Sequence, residues 1–62
     1  MPLITIDISQ GKLDGASHKE RLITEVTDAV ARIIGEEQRR LTVITIVETP
    51  LGHRGMGGVV LY

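Results

Sequence analysis

Two strand-forming runs, Leu3-Ile4-Thr5-Ile6-Asp7-Ile8-Ser9 and Leu41-Thr42-Val43-Ile44-Thr45-Ile46-Val47, stand on either side of one helix-length amphipathic segment. The first alternates with a period of two, placing Ile4, Ile6 and Ile8 on one face and Leu3, Thr5, Asp7 and Ser9 on the other. One face therefore wants a helix against it. The second run is rich in β-branched residues and apolar on both faces, which predicts a strand with neighbours on both sides and cover on both faces. A strand, one helix and a second strand make a right-handed β-α-β unit with parallel strands. The expected fold is α+β, a single domain spanning residues 1–62.

Between the strands, Gln10-Gly11-Lys12-Leu13-Asp14-Gly15-Ala16 is expected to be a loop. Ser17 and Glu20 have the spacing of a capping box, so the helix is predicted over His18 to Ile34. Leu22, Val26, Ala29, Val30 and Ile33 form its predicted buried stripe, flanked by Ile23 and Ile34. Asp28 and Arg32 have the spacing of an acid-before-base pair on the exposed face. Gly35 is a natural stop, and Glu36, Glu37, Arg39 and Arg40 read as a solvated bend. After Glu48, Thr49-Pro50-Leu51 breaks the strand, and Gly52-His53-Arg54-Gly55-Met56-Gly57-Gly58 leads to the closing Val59-Val60-Leu61-Tyr62.

Size makes this unit unable to stand alone. A chain of 62 residues buries only about 60% of its unfolded surface. It has no cysteine, and its two histidines, His18 and His53, lie far apart, so neither disulfide nor structural metal is expected to staple it. Yet 42% of the chain is hydrophobic, and a two-stranded sheet is marginal in water. Oligomerisation is the expected remedy, with sheet edges pairing to another copy.

The net charge of −1 and the single aromatic residue, Tyr62, argue against nucleic acid as a partner. The apolar runs are too short to span a bilayer. The N-terminus lacks the charged segment and apolar core of a secretory leader, so a cytoplasmic location is expected.

Among candidate functional residues, Pro2 comes first. A small residue after the initiator permits removal of Met1, which would leave Pro2 as a secondary amine anchored at the end of a sheet. Its pKa lies within reach of neutrality, so desolvation or a nearby cation can make it a general base near pH 7. The glycine cluster matches neither a dinucleotide fingerprint nor a phosphate loop, and it reads as a flexible turn or short hairpin packed on another chain. His18 reads as a solvated first-turn residue and His53 as a hydrogen-bonding loop residue. Lys12 and Arg54 are cations in glycine-flanked loops, placed to reach a cleft or simply to face solvent.

Taken in order, Met1-Pro2 and a strand, Gly11-Lys12, one long helix, a second strand, Glu48 and Gly52-His53-Arg54-Gly55-Met56-Gly57-Gly58 span nearly the whole chain. In that order and spacing the sequence resembles the 4-oxalocrotonate tautomerase family, the short-subunit branch of the tautomerase superfamily. The resemblance implies a β-α-β unit with a short C-terminal hairpin, paired into four-stranded dimers and assembled as a hexamer of three dimers. It implies a cofactor-independent isomerase acting on a small anionic enol or keto acid. There the proline nitrogen, Pro2 here, carries the proton while cations hold the substrate carboxylate and polarise its keto oxygen. No metal or organic cofactor is expected.

The chain departs from the family pattern at three positions. Lys12 stands where an arginine is usual, keeping charge but losing the bidentate fork. Val43 falls where a second arginine is usual, counting back from Glu48 without a gap. Arg54 replaces an aromatic residue, and the connections into and out of the helix are slightly longer than usual. Arg54 is accordingly expected to take over part of the missing arginine's work, binding the anion and lowering the Pro2 pKa by charge where the aromatic would do so by desolvation. Two other readings stand beside the tautomerase. One is hydratase- or dehalogenase-like chemistry on an unsaturated acid, which requires a water-activating carboxylate. The other is a non-catalytic assembly subunit, with Arg54 facing solvent.

Overall fold

The computed structural model describes residues 1–61. Tyr62, read above as part of the closing segment, lies outside the described residues. Strand β1 (Leu3–Ser9) leads through a loop to helix α1 (Gly15–Ile34), a 3-10 helix (Glu36–Leu41) and strand β2 (Val43–Thr49). A hairpin of β3 (Gly55–Met56) and β4 (Val59–Val60) follows. β1 and β2 are parallel, in register from Leu3 opposite Val43 to Ser9 opposite Thr49. This is the expected β-α-β unit with a short C-terminal hairpin.

The register places the even-numbered strand residues on the helix side, where Ile4, Ile6, Ile8, Ile44 and Ile46 are half-buried. Leu3, Thr5, Asp7, Val43, Thr45 and Val47 lie on the open side and are exposed. The second strand is thus covered on one face and paired only with β1, since one helix cannot cover both faces. Ala31, at 3% exposure, is the one buried residue among those described. Ordering each residue's backbone costs about 1–2 kcal/mol. A fully buried isoleucine contributes only about 1.5–3 kcal/mol, and those of this sheet are all partly exposed. The single chain is short of core, as its size predicts.

Several local expectations are corrected. The helix begins at Gly15, so Ser17 sits inside its first turn and does not cap it. The Asp14 amide instead donates to His18 Nδ1 at 3.1 Å, giving that backbone N–H a partner four residues along. Ile33, predicted in the buried stripe, is 81% exposed. A 3-10 helix forms where a bend was expected and folds back on α1 near Asp28. Arg39 ties it there, donating to Asp28 Oδ1 and Glu36 Oε1 at 2.5 Å each. Asp28 therefore takes Arg39, the partner foreseen in Arg32 being displaced by a guanidinium that also reaches Glu36.

β2 begins two positions later than its apolar run suggests. Leu41 completes the 3-10 helix, and Thr42 still donates its amide to the Arg39 carbonyl at 3.3 Å and its hydroxyl to the Gln38 carbonyl at 2.8 Å. Thr49 belongs to the strand and the break starts at Pro50. In the hairpin, Gly57 and Gly58 have φ of +60° and +83° between the paired Met56 and Val59. Positive φ at both central positions is the demand of a two-residue hairpin turn of type I′, which the glycines meet without strain.

Candidate active site

Pro2 sits half-buried at the N-terminal end of β1. Its carbonyl accepts the Val43 amide at 2.9 Å, so the first parallel-sheet bond fixes its backbone against β2. The open-face positions immediately beyond it are Leu3 and Val43, both exposed and apolar. Val43, where the resemblance leads one to expect a second arginine, is thus adjacent to Pro2 and carries no charge.

Lys12 lies past the other end of β1. Its amide donates to the Ser9 carbonyl at 3.3 Å, closing a turn whose third residue, Gly11, has φ +89°. The side chain is exposed. Arg54 follows β2 at the same edge of the sheet, because the strands are parallel. Its carbonyl accepts the Leu61 amide at 2.7 Å, so the hairpin holds its backbone.

The Arg54 side chain turns onto the open face. Nη2 donates to Asp7 Oδ1 at 2.5 Å and to Thr49 Oγ1 at 2.8 Å, and the Thr49 hydroxyl donates to the same Asp7 oxygen at 2.6 Å. The Thr49 hydroxyl first, then the Arg54 guanidinium, hold the Asp7 carboxyl below its usual range. Glu48, one residue away, faces the helix and takes Lys19 Nζ at 2.6 Å. Asp7 and Thr49 are the residues sequence reasoning missed. Their shared odd-numbered parity put them on one face, but only the register, with Asp7 opposite Val47, places Thr49 diagonally across from Asp7.

Within one chain, then, the candidate residues separate into two groups. Lys12 and Arg54 share the C-terminal edge of the sheet, while Pro2 occupies the opposite end. The seven residues of β1 between them span about 23 Å at about 3.3 Å per residue. No lysine or arginine side chain bridges that distance.

An open groove of about 230 Å³ beside the first turns of α1, lined by Leu13, His18, Arg21, Leu22 and Glu25, contains none of these residues. Among the described residues no three His, Cys, Asp or Glu side chains converge as a metal site would require. No helix among them is long and apolar enough to cross a membrane.

The parallel β-α-β unit, its terminal hairpin and the proline at the head of β1 define a small α+β protein of the tautomerase fold. The tautomerase enzyme family matches residues 2–62, nearly the whole length, and the chain belongs to that family. No curated protein matches the sequence. Family membership suggests tautomerase activity.

Proposed function

We propose that the protein is a cofactor-independent isomerase that moves a proton within an unsaturated enol or dienol acid. Pro2, once Met1 is removed, is its acid–base group. With Met1 attached the Pro2 nitrogen is a tertiary amide and has neither a proton to give nor a basic lone pair. As a free amine it takes the enol hydroxyl proton. The electron pair of that bond forms the carbonyl, the conjugated π electrons shift, and the resulting ammonium returns the proton to carbon. No electrons leave the substrate, so no redox partner is needed.

The observation that carries this reading is the position of Pro2, at the head of β1 with its carbonyl bound by Val43, in a family match that opens on that residue. An anchored backbone nitrogen is a precisely oriented base, and orientation is worth several orders of magnitude in rate. Lys12 and Arg54 of another copy hold the substrate carboxylate, in a homo-oligomer that we take to be a hexamer of three dimers. Pro2→Ala leaves a flexible primary amine in place of the ring. Its rate should fall by about two orders of magnitude or more with the oligomer intact by sedimentation. An unchanged rate overturns the assignment.

The hydratase- or dehalogenase-like alternative needs a carboxylate that activates water. Asp7 is the acid beside Arg54, and the contacts with Thr49 and Arg54 that depress its pKa make it a poor base. The assembly-subunit reading draws on Val43, which leaves the neighbourhood of Pro2 without a carbonyl-polarising cation.

A further inference from the structure

Resting on the role of Arg54 as an anion holder, we propose that Asp7 and Thr49 are positioning residues that fix the Arg54 guanidinium over the open sheet face as a preorganised carboxylate receptor. The three side chains close a ring of contacts. Arg54 Nη2 lies 2.5 Å from Asp7 Oδ1 and 2.8 Å from Thr49 Oγ1, and Thr49 Oγ1 lies 2.6 Å from Asp7 Oδ1. The threonine hydroxyl uses both of its capacities, accepting from the guanidinium and donating to the carboxylate. All three parts rest on backbone that is itself held. Asp7 and Thr49 belong to paired strands, and the Arg54 carbonyl is bound by the Leu61 amide at 2.7 Å. The side chain is therefore fixed at its root and at its tip.

Two effects of Asp7 on an incoming substrate carboxylate oppose each other. Its negative charge repels the anion. Its hydrogen bond keeps Arg54 from spreading over many rotamers, an entropy that binding would otherwise have to remove. The Asp7 side chain is 49% exposed, so water screens its charge strongly. Arginine has among the largest side-chain entropies, and its planar fork loses least when prealigned. Positioning outweighs repulsion. Thr49 has no charge and contributes to positioning alone, which makes it the cleaner probe.

The test uses the assembled protein, with sedimentation checking each variant. Steady-state kinetics with phenylenolpyruvate, a monocarboxylic enol, give KM and kcat. Calorimetric binding of cinnamate, a carboxylate that cannot tautomerise, gives a Kd independent of turnover. Thr49→Val and Asp7→Ala should each raise KM and Kd about three- to ten-fold while kcat stays within about two-fold. Thr49→Ser, which keeps the hydroxyl, should restore both constants. In an Arg54→Ala background the Asp7 and Thr49 substitutions should add nothing. Unchanged or lowered KM and Kd in Asp7→Ala and Thr49→Val, with Arg54→Ala still impaired, overturns the positioning role and leaves Arg54 as the anion holder. Unchanged constants in Arg54→Ala itself overturn both, while the Pro2→Ala result reports separately on the proton shuttle.

Discussion

The Val43 amide donates to the Pro2 carbonyl at 2.9 Å, so the residue at the usual arginine position and the proposed base are joined by the first bond of the parallel sheet. The bond fixes the backbone of Pro2. The exposed isopropyl group of Val43 offers nothing to a developing oxyanion.

That pairing sets the first prediction. A single preorganised donor is typically worth about 10²–10³ in kcat, so activity on a dicarboxylic dienol should be weak. Val43→Arg places a guanidinium on the open face of the strand beside Pro2. Its kcat/KM for the dicarboxylic dienol should rise by about tenfold or more over that of the unsubstituted protein. Equal or lower activity in a folded, assembled variant contradicts the assignment of this position.

The acid side of the stability profile provides the second. Thr49 and Arg54 hold the folded-state pKa of Asp7 below its ordinary value of 3.8, and Arg39 does the same for Glu36 below 4.5. A depressed carboxyl stabilises the fold above its unfolded pKa, and that contribution is lost as pH falls through the lower folded value. Stability should therefore drop between about pH 4.5 and the depressed values beneath. Asp7→Asn should flatten the part below pH 3.8 that belongs to Asp7. Thermal unfolding at fixed protein concentration checks this, and an identical acid slope in Asp7→Asn contradicts it.

Assembly provides the third. With Ala31 alone buried among the described residues, and Leu3, Val43 and Val47 exposed on the open face, the folded state needs partners. Sedimentation at micromolar concentration should show a hexamer or a smaller closed oligomer, and the unfolding temperature should rise with concentration. A stable folded monomer is the contrary result.

How much of this could be read from the sequence follows from the range of the forces involved. The alternation of Ile4, Ile6 and Ile8 is a local signal, and it gave β1 its residues and its helix-facing side. The limits of α1 and β2 depended on turn contacts three or four residues apart that residue type alone does not announce. His18 accepting the Asp14 amide moves the helix start forward, and the Thr42 bonds to Gln38 and Arg39 delay the strand. Ile33 was misplaced as well, standing 81% exposed near the end of α1, where the 3-10 helix folds back and is tied through Arg39 to Asp28. At the candidate site, Pro2, Lys12 and Arg54 are recognisable by residue type and order. Asp7 and Thr49 are not, since nothing local links residues 42 positions apart until the strands are in register. The separation of Pro2 from the cationic edge is likewise a property of the parallel topology.

The most direct test of the central claim is to measure the tautomerisation rate against the fraction of chains that retain Met1. Preparations made with and without excess methionine aminopeptidase supply the range, and intact mass gives the fraction in each. If the Pro2 amine carries the proton, kcat per subunit rises in proportion to the Met1-free fraction and extrapolates to near zero when every chain keeps Met1. A rate that stays constant across that range, in preparations of equal oligomeric mass, contradicts the account.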